Sequence, residues 1–544
     1  MKAHFEAFGK QAANHVPLSP LSFLERTAAI FPDRTAVIYH DRAYTWSEVL
    51  ERTTRIAASL KARGIGLGDT VSVMAANTPE LFELHYAVPM AGAVLNTINT
   101  RLEAETVAYI LDHSDAKLVI ADTAFSSVIE TAMDLNGDRL PVVNIVDDHG
   151  PGVNRIGDET YEQLVANGDP EFSWSGPEDE WQALALNYTS GTSGRPKGVV
   201  YHHRGAYLMA MGTPIAWELP RHPVYLYTVP MFHCNGWCHA WAMTLMAGTI
   251  VCIRQVTGKD VFALIEDHGI THLGGAPIVL SMLVNTPEPD RRALKGTVRI
   301  MTAGAPPPAA VLAATKALGF EVMQVYGLTE TYGHVSQCLW REEWNELTAD
   351  EQAELQSWQG VGFPMTEAID VIDRETGAAV PWDGETQGEI VIRGNTVMKG
   401  YYKSPEATEE ALSGGGFKSG DAAVRHPNGY VQIKDRLKDV IISGGENISS
   451  VEVEGVLHRH PDVVLAAVVA QPDEKWGEVP CAFVELKEGS DATEDSLIAF
   501  CREQMAGFKR PKKIVFTELP KTATGKIQKY VLRHEARSIT SETK

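Results

Sequence analysis

The sequence contains no stretch of about 18 uninterrupted apolar residues, so it is read as having no transmembrane helix. It has only six cysteines in 544 residues, at 234, 238, 252, 338, 481 and 501. They are too few and too scattered for a disulfide framework, which points to a reducing compartment. The start, Met1-Lys2-Ala3-His4-Phe5, lacks the charged segment and apolar run of a secretory leader. Positive charge is also scarce: 48 Lys and Arg face 70 Asp and Glu, for a formal net charge of −22. Unspecific nucleic-acid binding needs basic patches and is disfavoured, although a local basic pocket can still take an anion. No fixed-period repeat occurs. These absences describe a soluble, cytoplasmic protein with neither a nucleic-acid partner nor a stable membrane span.

What is present is ordinary globular material, 44% hydrophobic and 22% charged. At roughly 100–200 residues per domain, the length implies two or more domains. Ser19 to Phe31 reads as a helix, with Ser19 as N-cap and Pro20 at the first helical position. Arg34 to Tyr39 reads as a strand, and Thr45 to Arg63 as a helix opened by a Thr45/Glu48 capping box. A strand over Thr70–Met74 and a helix from Thr78 to Ala91 follow. Buried-looking runs lie at 118–120, 142–146, 250–253 and 298–301. Such alternation favours α/β architecture.

After about residue 380 the pattern changes to Gly-rich turns and short strands, at 388–393 and 429–434. Beyond the charged run Asp435-Arg-Leu-Lys-Asp439, helix and strand patterns recur at 451–460, 463–469, 482–486 and 494–504. The expected fold is therefore α/β. A large N-terminal domain (1–437) of mixed sheets flanked by helices carries a β-rich subdomain. A small α+β domain (438–544) follows it.

The most informative segment is Tyr188-Thr-Ser-Gly-Thr-Ser-Gly-Arg-Pro-Lys-Gly-Val199. Glycines allow close backbone approach to a ligand, successive N–H groups form an anion-binding nest, and Lys197 adds a cation. The order differs from a Walker A loop, in which Lys directly follows Gly and precedes Ser or Thr. The plainer alternative is a flexible surface turn.

This loop closely resembles the signature of the adenylate-forming superfamily, which includes acyl-CoA synthetases, luciferases and peptide-synthetase adenylation domains. Further matches recur in order along the whole chain. The resemblance implies an ATP-dependent acyl-CoA ligase that makes acyl-AMP and then acyl-CoA, using ATP, Mg²⁺ and coenzyme A. It implies nucleotide contacts from Thr189, Ser190, Gly191, Thr192, Ser193, Gly194 and Lys197. Further contacts come from Gly304 and Ala305 and from Gln324, Val325, Tyr326, Gly327 and Thr329 of Gln324-Val-Tyr-Gly-Leu-Thr-Glu-Thr331. Thr189 and Glu330 fall at the metal positions, and Glu330 is a hard oxygen donor suited to Mg²⁺. Asp421 falls at the ribose position, where a carboxylate accepts from a vicinal diol. Arg436 is implied at the nucleotide and Lys438 at the hinge of a mobile C-terminal domain. Lys526, in Pro520-Lys-Thr-Ala-Thr-Gly-Lys526, is implied as the catalytic lysine. Lys418, Ser419, Asp435 and Ser450 depart from the usual pattern of Arg, Thr, Gly and Pro.

Met231-Phe-His-Cys-Asn-Gly-Trp-Cys-His-Ala-Trp241 carries the acyl side. His233 matches a catalytic position, and Ala303 with Gly304 leaves room beside the reacting carboxylate. Trp237 and Trp241, four apart, would share a face if helical, and their indoles would shorten the pocket. Ordinary core packing is the alternative. His233, Cys234, Cys238 and His239 also invite a zinc reading, but no second ligand pair supports it. Ser443, Gly444 and Gly445, with Lys509 and Arg510, are candidates for CoA contact. The basic run Phe508–Lys513 reads equally as a solvated turn. The tryptophan segment is similar to short- and medium-chain acyl-CoA ligases, including the 3-methylmercaptopropionate (3-methylthiopropionate) ligase type. Other readings are a butyrate or other fatty-acid ligase, an enzyme loading a carrier protein, and a nucleotide-binding sensor without turnover. Family habit suggests a homodimer.

Overall fold

The computed structural model describes residues 8–137, 139–152, 154–189, 195–304, 307, 309–444, 446–521 and 527–542. The expected architecture holds: a large N-terminal domain of mixed sheets and helices, then a smaller C-terminal domain. One large sheet runs, edge to edge, through Gly400–Tyr401, Lys197–His202, Ala183–Thr189, Val94–Thr97, Thr70–Met74, Ala116–Asp122, Val142–Ile145 and Glu159–Thr160. Its inner strands pair in parallel, and Thr70–Met74 is buried at every position, as befits a strand covered on both faces. A second large sheet includes the parallel neighbours Val224–Tyr227, His272–Gly275, Val298–Thr302 and Phe320–Tyr326. One hydrophobic core joins residues from both sheets and the helices between them.

The β-rich expectation after residue 380 is met by an antiparallel sheet of Thr366–Ile372, Gly388–Gly394, Phe417–Arg425 and Val431–Arg436. Beyond it, Ile441–Ser443, Glu446–Ile448, Val463–Asp473, Gly477–Leu486 and Lys513–Phe516 form a separate sheet with its own cores.

Local chemistry explains most element starts. Thr45 and Glu48 form the expected capping box at the head of Trp46–Ala62. Glu494–Gln504 is helical over the expected span, capped by Thr493. The first helix departs: it runs Leu21–Ile30 with Pro20 in the N-cap position. Ser19 lies one residue outside, where its hydroxyl meets His203 Nδ1 at 2.9 Å and accepts from the Leu21 N–H at 3.3 Å.

Candidate active site

Candidate residues gather at the C-terminal ends of strands from both large sheets, where open α/β sheets usually bind ligands. Thr189 ends one strand and pairs in register with Lys197 at the start of the next. Ser190, Gly191, Thr192, Ser193 and Gly194, expected at the phosphates, lie outside the described residues, as do Ala305, Gly445 and Lys526. The Lys197 ammonium sits 4.7 Å from the Tyr401 ring centroid. The Tyr401 hydroxyl donates to Glu330 Oε1 at 2.8 Å. Burial first, and then the Glu330 carboxylate, push the Tyr401 phenol up, so it stays a donor. Thr329 is held by Tyr201, whose hydroxyl donates to its carbonyl at 2.6 Å. Glu330 is thus aimed by a tyrosine that no local pattern marks, since Gly400-Tyr401-Tyr402 reads only as a turn.

Asp421 is 2% exposed. Its carboxylate accepts from the Tyr326 hydroxyl at 2.6 Å and from Arg436 Nε at 2.8 Å. Asp421 and Arg436 are direct cross-strand partners, so the pair follows from sheet register. A carboxylate offers about four acceptor sites, and two remain for hydroxyl donors. Gly420 has φ +74°, and its N–H donates to Glu389 Oε1 at 3.0 Å, turning the chain so that Asp421 faces inward.

On the strand of Tyr326 and its two neighbours, four buried polar atoms lack a partner among the described residues: Thr302 Oγ1, Gln324 Oε1, Ser336 Oγ and Gln337 Oε1. They sit on adjoining strands, since Thr302 pairs with Gln324, and Ser336 and Gln337 pair with Tyr326 and Val325. Each such atom costs about 1–3 kcal/mol unless something completes it. Gly304 has φ +95° and open space where a side chain would stand. Gly327 is required for the opposite reason: a Cβ there would fall 2.5 Å from the His334 Cα. Unfilled polar valences, an open backbone and an oriented carboxylate fit a polar, hydroxyl-bearing ligand with anionic groups. A cation bound at Glu330 fits as well.

The tryptophan segment differs from its expected helix. Cys234, Asn235, Gly236, Trp237 and Cys238 all have φ between 39° and 60°, one left-handed turn, and a right-handed helix begins only at His239. Left-handed residues cost roughly 1–2 kcal/mol each. Buried hydrogen bonds hold the turn in place. The Asn235 N–H donates to Asn187 Oδ1 at 3.1 Å, and Asn187 Nδ2 returns a bond to Asn235 Oδ1 at 2.5 Å. The Tyr227 hydroxyl donates to the Gly236 carbonyl at 3.0 Å.

Trp237 and Trp241 therefore do not share a helical face. Trp237 lies against Gly333 and Gly274: Cβ atoms built there would come within 3.3–3.5 Å and 3.4 Å of it. Trp241 is fully buried, packs edge-on against His85 at 5.7 Å and donates to the His85 carbonyl at 3.4 Å. It is core, and its expected place beside Trp237 is corrected. His233 is half-buried and opens the turn, its carbonyl accepting from the Gly236 N–H at 2.8 Å. The Cys234 thiol faces Thr329 Oγ1 at 3.4 Å and the Cys238 thiol the Tyr332 carbonyl at 3.7 Å, while burial pushes Cys234 up to about 12. Thiols held protonated are poor metal ligands. Asn187 was invisible as a site residue because it reads as one more position in a strand.

Lys438, the expected hinge residue, is pushed down to about 8 by burial and by Arg533 and Arg436. Asp435, where glycine was the usual residue, accepts from the Ser450 N–H at 2.5 Å, and Asp439 is paired with Arg533. Asp435 and Ser450, two departures from the usual pattern, thus bond to one another across the segment between sheets. Ser443 pairs with Glu446 in a tight hairpin, and a Cβ on Gly444 would lie 2.8 Å from the half-exposed Trp476 ring. Lys509 is held by both Glu452 oxygens at 2.7 and 2.8 Å, and Arg510 Nε donates to the Gly507 carbonyl at 3.2 Å.

Comparison with known proteins matches residues 24–402 to the AMP-binding enzyme family and residues 452–526 to the AMP-binding enzyme C-terminal domain. The chain is 48% identical to the peroxisomal acetate/butyrate–CoA ligase of Arabidopsis thaliana, covering 97% of this chain and 96% of that protein. It is 49% identical to a 2-methylpropanoate–CoA ligase of Humulus lupulus, covering 98% and 97%. Among solved structures, the o-succinylbenzoate CoA synthetase of Bacillus subtilis in complex with its acyl-adenylate intermediate superposes with a TM-score of 0.79. The two share 27% identity over 94% of this chain and 97% of that one.

Proposed function

We propose, from the premise that this chain belongs to the AMP-binding enzyme family and is an AMP-forming acid–CoA ligase, that its acid is short and largely apolar. ATP, Mg²⁺ and CoA are its co-substrates and metal. The observation that carries the reading is the Trp237 indole, wedged against Gly274 and Gly333, a position from which it would shorten the acyl pocket. Relatives named for acetate, butyrate and 2-methylpropanoate support the same size class. Within it our preferred substrate is 3-methylmercaptopropionate, which would place the enzyme in dimethylsulfoniopropionate catabolism.

In the first step the carboxylate oxygen attacks the α-phosphorus of ATP, and pyrophosphate leaves. The loop at 189–198 holds the departing phosphates, Asp421 orients the ribose, and Lys526 steadies the reacting oxygens. Glu330 and Thr189 would hold Mg²⁺, which neutralises phosphate charge when bound. Residues 438–544 then turn about Lys438, withdrawing Lys526 and bringing the 443–447 hairpin to the thiol path. The CoA sulfur attacks the acyl carbon, and AMP leaves with the electron pair. We place the enzyme in the cytoplasm as a homodimer.

Pyrophosphate release with CoA across acetate, propionate, butyrate, 3-methylmercaptopropionate, hexanoate and benzoate tests this reading. Turnover should be concentrated in the acids of three to five chain atoms counted from the carboxyl carbon: propionate, butyrate and 3-methylmercaptopropionate. Release that needs a carrier protein instead of CoA, or none with any acid, would overturn it.

A further inference from the structure

The Trp237 wedge adjoins two buried histidines, His239 and His334, and a third, His272, stands against Trp217; the ring nitrogens of all three are incompletely matched. His239, the first residue after the left-handed turn, meets the Tyr225 hydroxyl through Nδ1 at 2.7 Å. His272 meets Thr271 Oγ1 through Nδ1 at 2.8 Å. Nε2 of each has no partner among the described residues. His334 is the extreme case: it is fully buried, and neither Nδ1 nor Nε2 has a partner among the described residues. It directly follows Gly333, which lies against Trp237. Its ring stands 4.8 Å from Phe363, 5.9 Å from His239 and 6.4 Å from Trp237, centroid to centroid.

Burial holds His334 neutral, at about 3, and His239 well below its usual range, so each ring carries one donor N–H and one acceptor nitrogen. Buried polar groups in folded proteins are nearly always bonded, and an orphaned N–H is the rarer exception. No described residue serves His334, which leaves a donor and an acceptor open to a bound ligand. Two of the three rings nearest it, Phe363 and Trp237, are apolar, which suits a small apolar tail bearing one acceptor atom.

We propose that His334 is a specificity residue that donates a hydrogen bond to an acceptor atom, an ether oxygen or thioether sulfur, within the acyl tail of the short acid. This rests on the acid–CoA ligase reading above and narrows its substrate class.

The test compares kcat/KM for pentanoate, 3-methoxypropionate and 3-methylmercaptopropionate, which differ by one atom in chains of equal length. In the unaltered enzyme 3-methoxypropionate should exceed pentanoate by up to about tenfold, the worth of one neutral hydrogen bond, and 3-methylmercaptopropionate by a smaller factor, because a thioether sulfur is a weaker acceptor. His334→Phe should bring the ratios near one by raising KM for the heteroatom acids more than for pentanoate. His334→Gln, which keeps an N–H donor, should preserve part of the preference. Equal use of the three acids by the unaltered enzyme would mean that only water meets His334, and would overturn the proposal. A preference that survives His334→Phe would overturn it too. If His334→Phe does not fold, the unaltered enzyme and His334→Gln decide. Failure of the ligase reading looks different, because then none of the three acids releases pyrophosphate.

Discussion

Replacing Trp237 by alanine tests the geometry of the acyl side most directly. The side chain is 6% exposed and rests on two glycines, so its removal opens a void that Gly274 and Gly333 cannot fill. A longer acyl tail can fill it instead. Each newly buried methylene contributes about 0.8 kcal/mol, a factor of roughly four. Hexanoate carries two more methylenes than butyrate, so the ratio of their kcat/KM values should rise by about 15-fold on that basis. The cost falls on the fold: truncating a buried Trp to Ala removes about 3–5 kcal/mol of stability. Trp237→Leu, a smaller truncation, should show a smaller shift with less destabilisation. The assay is acyl-CoA formation across even-chain acids, with thermal unfolding alongside. The matched control is Trp241→Phe, which should lower stability and leave the chain-length profile unchanged, because Trp241 packs on His85 in the core. A Trp237→Ala enzyme with an unaltered profile, or a Trp241→Phe enzyme with a shifted one, would refute the assignment of the two indoles.

Asp421→Asn leaves Tyr326 and Arg436 facing a weaker acceptor. Hydrogen bonds to charged groups contribute about 1.5–3 kcal/mol, so KM for ATP should rise roughly ten- to a hundredfold. An unchanged KM would remove Asp421 from the nucleotide site. Lys526→Ala should nearly abolish acyl-AMP formation yet still convert supplied acyl-AMP to acyl-CoA, and equal loss of both half-reactions would exclude the role proposed for it. Lys438 titrates at about 8 in the folded chain and at about 10.4 when unfolded. Between those values the unfolded state binds more protons, so this residue makes stability rise with pH through that window, and its penalty is fully present below pH 8. Denaturant unfolding of the protein and of Lys438→Met from pH 7 to 10.5 measures it. The variant should lose that part of the slope, and parallel curves would contradict the shift.

Much of the architecture was legible in local chemistry. The Thr45/Glu48 capping box and the Glu494–Gln504 helix stand where side chains next to them in sequence satisfy the first free N–H groups. The first helix start was misjudged by one residue, because Ser19 is drawn towards His203, 184 positions away. The tryptophan segment misled more. Four-residue spacing implies a shared face only on a right-handed helix, and Cys234 to Cys238 wind the other way. Nothing within five residues announces this, since the hydrogen bonds that impose it come from Asn187 and Tyr227.

The sequence by itself determined the order of residues along the chain, and its resemblance to the adenylate-forming superfamily turned that order into expected roles: a phosphate loop, an acidic ligand, a ribose carboxylate, a hinge and a terminal lysine. Residue type and local backbone chemistry alone support the phosphate-type loop, whose glycines, hydroxyls and lysine suit an anion; the other roles rest on the resemblance. Only the tertiary structure decided which groups meet. It set Tyr401 on Glu330, Tyr326 and Arg436 on Asp421, and Asp435 on Ser450. It separated Trp241 from Trp237, and it left His334 buried without a partner among the described residues. The physical reason is common to all of these. A hydrogen bond or a wedge depends on strand register and packing between segments far apart in the chain, and neither is encoded within any one of them.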